Sequence, residues 1–168
     1  MFFGNKELIF DKPLVMGIIN ITTDSFSDGG KFITNNLTSE FDLRKIIKEI
    51  DFLEKSGASF IDIGAESTRP GYCPISIQEE LDRLIPVLEL IAETKSIISI
   101  DTRKPEVMKE VLKFPIGLIN DVSGLTSVLG RKLIKNHNVP ICVMHNSRDR
   151  TKSLEEDIDS FFKTQINQ

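Results

Sequence analysis

Five short apolar runs, at residues 14–19, 60–63, 97–100, 117–119 and 141–144, alternate along this chain with longer segments whose apolar residues return at helical spacing. No other feature restricts the fold so strongly. The runs are short and rich in β-branched residues, which suits parallel strands covered on both faces. Between them, Leu43, Ile46, Ile47, Ile50 and Leu53 form one helical stripe, and Leu81, Leu84, Ile85, Leu88 and Ile91 form another. Pro86 removes a backbone donor inside the second stripe and is expected to kink that helix or mark an irregular turn. Thr102 followed by Pro105 reads as a helix start, with Val107, Met108, Val111 and Leu112 facing inward. A shorter helix is expected over residues 128–136, and Leu154, Ile158, Phe161 and Phe162 again take helical spacing after the fifth run.

Strict alternation of strand and helix implies right-handed crossovers and a parallel α/β sheet. Two architectures satisfy it. A five-stranded doubly wound domain would be complete at this length, whereas a (β/α)8 barrel of about 250 residues would be represented only by its first five βα units. Periodicity does not choose between them. No linker, low-complexity stretch or shift in composition divides the chain, so residues 1–168 are read as one domain.

With 40% hydrophobic and 27% charged residues the chain has the composition of a globular protein able to bury a core. A net charge of −4, with Lys and Arg spread thinly, argues against nucleic acid and anionic membrane as partners. No apolar run reaches the length of a signal peptide core or a membrane span, and a cytoplasmic location is expected. Cys73 and Cys142 lie far apart and in no paired motif, so they are expected to be buried free thiols rather than a disulfide or metal ligands.

In parallel α/β folds the loops after the strand C-termini build the site. Every run here ends on polar residues: Asn20 and the loop through Thr22, Thr23, Asp24 and Ser25 to Gly30; Asp62, then Glu66, Ser67, Thr68 and Arg69; Asp101, Thr102 and Arg103; Asn120 and Asp121; His145 and Asn146. Asn20 suits a hard cation or an anionic ligand, or else a turn. Arg69, rigidly flanked by Pro70 and Gly71, suits a phosphate or carboxylate, or else is a surface residue on a tight turn. Asp101 suits paired hydrogen bonds from an amidine-like heterocycle, or else it or Thr102 caps the next helix. Asn120 suits the edge of a ring, or else satisfies loop backbone. There is no dinucleotide glycine fingerprint, no phosphate loop ending in Gly-Lys-Ser/Thr, and no Gly-x-Ser-x-Gly elbow. With only His137 and His145, a histidine-rich metal site is excluded.

Taken together, the loops resemble the dihydropteroate synthases of folate biosynthesis. The resemblance rests on MGIINITTDSFSDGG at 16–30, DIGAESTRPG at 62–71, SIDT at 99–102, NDVSG at 120–124 and Met144-His145. It implies the (β/α)8 TIM-barrel fold, truncated here to about its first five βα units and incomplete at the C-terminus. It further implies that Asn20 meets Mg²⁺ bound to the substrate pyrophosphate, that Thr68 and Arg69 hold pyrophosphate or nearby substrate atoms, that Asp101 and Asn120 hydrogen-bond a pterin ring, and that Met144 packs on it. The implied reaction joins 7,8-dihydropterin-6-ylmethyl diphosphate to p-aminobenzoate, giving 7,8-dihydropteroate and pyrophosphate, with Asp101 and Arg69 as the catalytic groups and Mg²⁺ as cofactor.

Sulfonamide-type analogues of p-aminobenzoate are implied ligands, and the resemblance leaves room for a homodimer of the full-length enzyme. Two departures stand out. Thr23 occupies a position where the family usually has proline, and nothing after Asn146 matches the family's second pterin-binding aspartate, its lysine or its later anion-binding segment. Two alternatives therefore stand beside the synthase reading: an inactive, truncated pterin-binding module, and a relative of the folate-dependent methyltransferases.

Overall fold

A computed structural model describes residues 1–22, 33–35, 40–67, 73–91, 93–146 and 151–167. The chain opens with a hairpin of β1 (Phe2–Phe3) and β2 (Lys6–Glu7), followed by β3 (Met16–Asn20) and a second hairpin of β4 (Ile33–Asn35) and β5 (Glu40–Phe41). Helix and strand then alternate: α1 (Leu43–Lys55), β6 (Phe60–Gly64), α2 (Ile77–Leu90), β7 (Ile97–Asp101), α3 (Pro105–Val111), β8 (Leu118–Asp121), α4 (Val128–His137), β9 (Ile141–Val143) and α5 (Leu154–Ile166).

The large sheet is parallel and runs β3-β6-β7-β8-β9, so its spatial order is its chain order. A doubly wound sheet reverses its winding at a switch point and takes helices on both faces. Here every crossover steps the same way, and right-handed crossovers then gather the helices on one side. The arrangement is an arc of a (β/α)8 barrel, and the doubly wound alternative falls.

Side chains alternate across each strand, which divides the sheet into two faces. Ile19, Ile61, Ile63, Ile98, Ile100 and Ile119 point to the helices and are packed with Ile46 and Ile50 of α1, Leu84, Val87 and Leu88 of α2, Val107, Met108 and Val111 of α3, and Ile134 of α4. The other face, the barrel interior, is apolar at its base, where Phe60, Ile97 and Leu118 pack with Phe3 of the first hairpin. Phe3 meets Phe60 edge-on, with ring centroids 5.0 Å apart. The fit is tight: a Cβ on Gly117 would stand 2.6 Å from Ile97 Cγ2 and 3.0 Å from the Phe3 carbonyl oxygen. The N-terminal hairpin is thus a plug for the strand N-termini.

Helix starts carry the expected chemistry. Asp42 accepts the Arg44 and Lys45 N–H groups, Ser76 that of Glu79 and Ser127 that of Gly130, while Ser153 and Glu156 form a reciprocal capping box. Pro105 opens α3, whose cap position is Lys104 without a side-chain cap bond, so neither Asp101 nor Thr102 is the cap. Helix α2 contains Pro86 and ends four residues beyond it.

Two expectations need correction, and one feature was not foreseen. The fourth helix extends one residue further than expected, to His137. Both cysteines are free, but Cys73 and Cys142 are exposed rather than buried. Cys142 lies in an apolar run, yet it alternates onto the interior face, which is open beside β9. Neither hairpin was foreseen: Lys6–Glu7, Ile33–Asn35 and Glu40–Phe41 are very short and, unlike β9, carry polar residues in place of an apolar run.

Candidate active site

The parallel register brings four of the strand ends into one row. Asn20 lies opposite Gly64, Gly64 opposite Asp101, Asp101 opposite Asn120, and Asn120 opposite Cys142. Because side chains two apart share a face, the layer beneath contains Ile18, Asp62, Ser99 and Leu118. The interior face therefore changes from an apolar base to a polar mouth at the strand C-termini.

Gly64 matters through the side chain it lacks. A Cβ there would sit 3.4 Å from Asp101 Oδ2 and 3.6 Å from Asn20 Oδ1, so the bare backbone leaves a cradle between these two oxygens. Beneath the cradle, Ser99 Oγ donates to Asp62 Oδ1 at 2.5 Å and Asn120 Nδ2 donates to Asp62 Oδ2 at 3.1 Å. Ser99 is fully buried and Asp62 nearly so. Burial, compounded by the charges of Asp62, Glu80, Asp121 and Glu66, pushes the Asp101 carboxyl up to about 7. The row consequently offers acceptors and negative potential, and it suits a ligand edge rich in N–H donors.

Behind the row an ionic network ties the loops to α2. Lys104 Nζ donates to Glu66 Oε2 at 2.6 Å, to Glu80 Oε2 at 2.7 Å and to the Ile75 carbonyl at 2.8 Å. Glu66 also accepts Arg103 Nε and the Ile75 N–H, each at 3.0 Å, so it ties the segment just past β6 to the one leading into α2. Thr102 Oγ1 donates to Glu80 Oε1 at 2.6 Å. Burial alone would raise Glu66 and lower Lys104, but their mutual pairing, with Glu80 and Arg103, outweighs it and keeps both charged. On the same helix, buried Arg83 donates to the Ile21 and Ala65 carbonyls, the first residues past β3 and β6.

Of the residues singled out from sequence, Asn20, Asp101 and Asn120 fall on the row. Met144 follows β9 by one residue and is part-exposed; by alternation it continues the face of Cys142. Thr68 and Arg69, with the loop 23–30, lie outside the described residues. His145 turns away from the row, with Nε2 3.1 Å from Asp157 Oδ2 of α5 and its ring edge-on to Phe161. Asp121 is structural: its carboxylate accepts the Ser123 and Leu125 N–H groups and shapes the loop after β8.

Sequence reasoning gave no role to Asp62, Ser99, Gly64, Glu80, Lys104 or Arg83. For the first three a signal existed. Phe60, Asp62 and Gly64 alternate with Ile61 and Ile63, and Ile97, Ser99 and Asp101 with Ile98 and Ile100, so one face of each strand turns polar toward its end.

Among the described residues no group of three His, Cys, Asp or Glu side chains could cage a metal ion. A Mg²⁺ ion nevertheless fits this mouth, because Mg²⁺ keeps several waters and is often held by one or two protein oxygens plus substrate phosphates. Asn20 Oδ1, bordering the cradle over Gly64, is such an oxygen.

Comparison with known proteins places this geometry. A family model described as pterin binding enzyme matches residues 16–168. A dihydropteroate synthase of Clostridium beijerinckii is 41% identical over 99% of this chain and 61% of its own length. The structure of the Yersinia pestis dihydropteroate synthase with a sulfonamide drug complex superposes with a TM-score of 0.86 at 35% identity, covering 99% of this chain and 61% of that one. That of the Xanthomonas albilineans dihydropteroate synthase with 4-aminobenzoic acid gives 0.78 at 34% identity, over 95% and 56%. The chain spans about 60% of the length of these relatives. Matched along most of its length by one family model and sharing the fold of these synthases, the chain belongs to the pterin-binding enzymes.

Proposed function

We propose that this chain forms the pterin-holding part of a dihydropteroate synthase, a single barrel domain that condenses 7,8-dihydropterin-6-ylmethyl diphosphate with p-aminobenzoate. The observation that carries the reading is the row Asn20, Gly64, Asp101, Asn120. Asp101 accepts N–H donors of the pterin edge, and Asn120 hydrogen-bonds the same ring. Gly64 places no side chain between Asp101 and Asn20, so the ligand approaches the backbone there. Asn20 lies on the diphosphate side, and the family resemblance assigns Thr68 and Arg69 to the diphosphate as well. Met144 covers a face of the ring.

The bond from the exocyclic methylene to the diphosphate oxygen breaks, and the amine of p-aminobenzoate forms a new C–N bond and then loses a proton. The carboxylate of Asp101 stabilises positive charge that develops on the pterin as the diphosphate leaves, and Arg69 stabilises the negative charge on the leaving group. When bound at Asn20, Mg²⁺ supplies further countercharge to the diphosphate. The relatives solved with a sulfonamide drug complex and with 4-aminobenzoic acid support p-aminobenzoate and its sulfonamide analogues as ligands. A cytoplasmic location is part of this reading; among the described residues no helix is long and apolar enough to cross a membrane.

Calorimetry with the pterin diphosphate and Mg²⁺, followed by a turnover assay with p-aminobenzoate, tests the proposal on this chain and on the intact protein. Binding by both and turnover by the intact protein are expected. Failure of the intact protein to bind the pterin would remove the assignment.

A further inference from the structure

We propose that Asp62 is the positioning residue that sets the hydrogen-bonding polarity of Asn120 toward the ligand. The inference rests on the pterin reading above and deepens it. A primary amide is nearly symmetric in shape, so an asparagine at a ligand edge reads a donor–acceptor pattern only if something prevents its oxygen and nitrogen from exchanging places. Asp62 stands one layer deeper than Asn120 on the same interior face and on the second strand over. Its carboxylate can only accept. Asn120 must therefore turn its nitrogen to Asp62 Oδ2, as the 3.1 Å contact has it, leaving the carbonyl oxygen and the second N–H in fixed places for the ligand.

The carboxylate is itself immobile. Ser99, fully buried on the intervening strand, donates to the other oxygen at 2.5 Å, and Asp62 is only 5% exposed. The three residues thus form a relay across three neighbouring strands, Ser99 holding Asp62 and Asp62 holding Asn120. Among the described residues no cation pairs with Asp62. A charge so placed does little for stability, since its burial has no ionic compensation, but it does impose a direction on the amide above it.

The test is a set of binding measurements on the intact protein with a 7,8-dihydropterin. Asp62→Ala removes the acceptor and should weaken binding roughly 10- to 100-fold, the range for a misdirected or unpaired buried hydrogen bond. Asp62→Asn, whose amide oxygen can still accept from Asn120 while its nitrogen faces the Ser99 hydroxyl, should restore most of the loss. Placed on an Asn120→Ala background, Asp62→Ala should cost nothing further, because Asp62 acts through Asn120. Losses that add in full would overturn the proposal, as would a failure of Asp62→Asn to recover binding.

Should Asp62→Ala not fold, Ser99→Ala serves instead, with a smaller loss expected that also vanishes on the Asn120→Ala background; a loss undiminished there overturns the proposal. In the ligand-free protein the side-chain amide protons of Asn120 should give two well-separated NMR signals that converge in Asp62→Ala. Unchanged signals would sink the inference even where binding falls. Absence of pterin binding by the wild type together with the expected NMR change would instead overturn the ligand assignment and leave the Asp62–Asn120 coupling standing.

Discussion

At the scale of single residues, Asp101 is a carboxyl held under electrostatic tension. Its carboxyl is pushed up to about 7 by burial and by the neighbouring charges of Asp62, Glu80, Asp121 and Glu66. A carboxyl raised in the folded state favours folding where it is protonated, fully so below its unfolded value near 4, and that contribution is lost as the pH rises through about 7. Asp101→Asn should therefore raise the stability of the ligand-free protein at pH 8 by roughly 2–4 kcal/mol, with little gain at pH 4, as urea melts at the two values would show. The same substitution should abolish detectable pterin binding, a trade of function for stability read by calorimetry on the same samples. Binding by wild type needs the carboxylate, so affinity should be flat above pH 7 and decline up to tenfold per unit below it. A profile flat from pH 5 to 8 would remove Asp101 from ligand recognition.

At the scale of elements, α2 does more than cover the sheet. Its Glu80 and Arg83, with Lys104 at the head of α3, hold the segments beyond β3, β6 and β7 in place. Lys104→Met would leave Glu66 and Glu80 buried with one fewer cation between them and should cost about 3–5 kcal/mol in a urea melt. A loss under 1 kcal/mol would show that Arg103 and the backbone donors suffice.

These elements also show what the sequence discloses and what it withholds. The five parallel strands were legible as short apolar runs rich in β-branched residues, and the five helices because their apolar residues repeat with period 3.6 over enough positions to be seen. Asn20, Asp101 and Asn120 were legible because each ends such a run at the strand C-terminus, where parallel folds gather ligand groups. Glu80, Arg83 and Lys104 were not, since a charged residue on a helix looks solvated until tertiary packing turns it inward. Asp62 was visible as a polar strand end but its role was not, because only the register with Ser99 and Asn120 reveals its partners. Cys142 misled for a related reason, because an apolar run reports that a strand is buried without saying which of its faces is.

At the scale of the whole molecule, β3 and β9 each pair on one side only within the described sheet. Ile18 on one edge strand is 60% exposed, and Met144, one residue past the other, is 44% exposed. Unpaired edges flanked by apolar surface template association. The 168-residue chain by itself should sediment as concentration-dependent oligomers; a monomer at high concentration with a cooperative melt would contradict this.

The unbroken strand order has a further consequence. Adjacent strands lie about 4.8 Å apart, so Asn20, Gly64, Asp101 and Asn120 mark off a scale of three equal steps, roughly 14 Å from first to last along the backbone. The sheet is a ruler for whatever its mouth holds. Under the proposed function the pterin ring takes the steps at Asp101 and Asn120 and its diphosphate substituent points along the row toward Asn20, so recognition is in part a matter of spacing, imposed by backbone hydrogen bonds before any side chain is consulted.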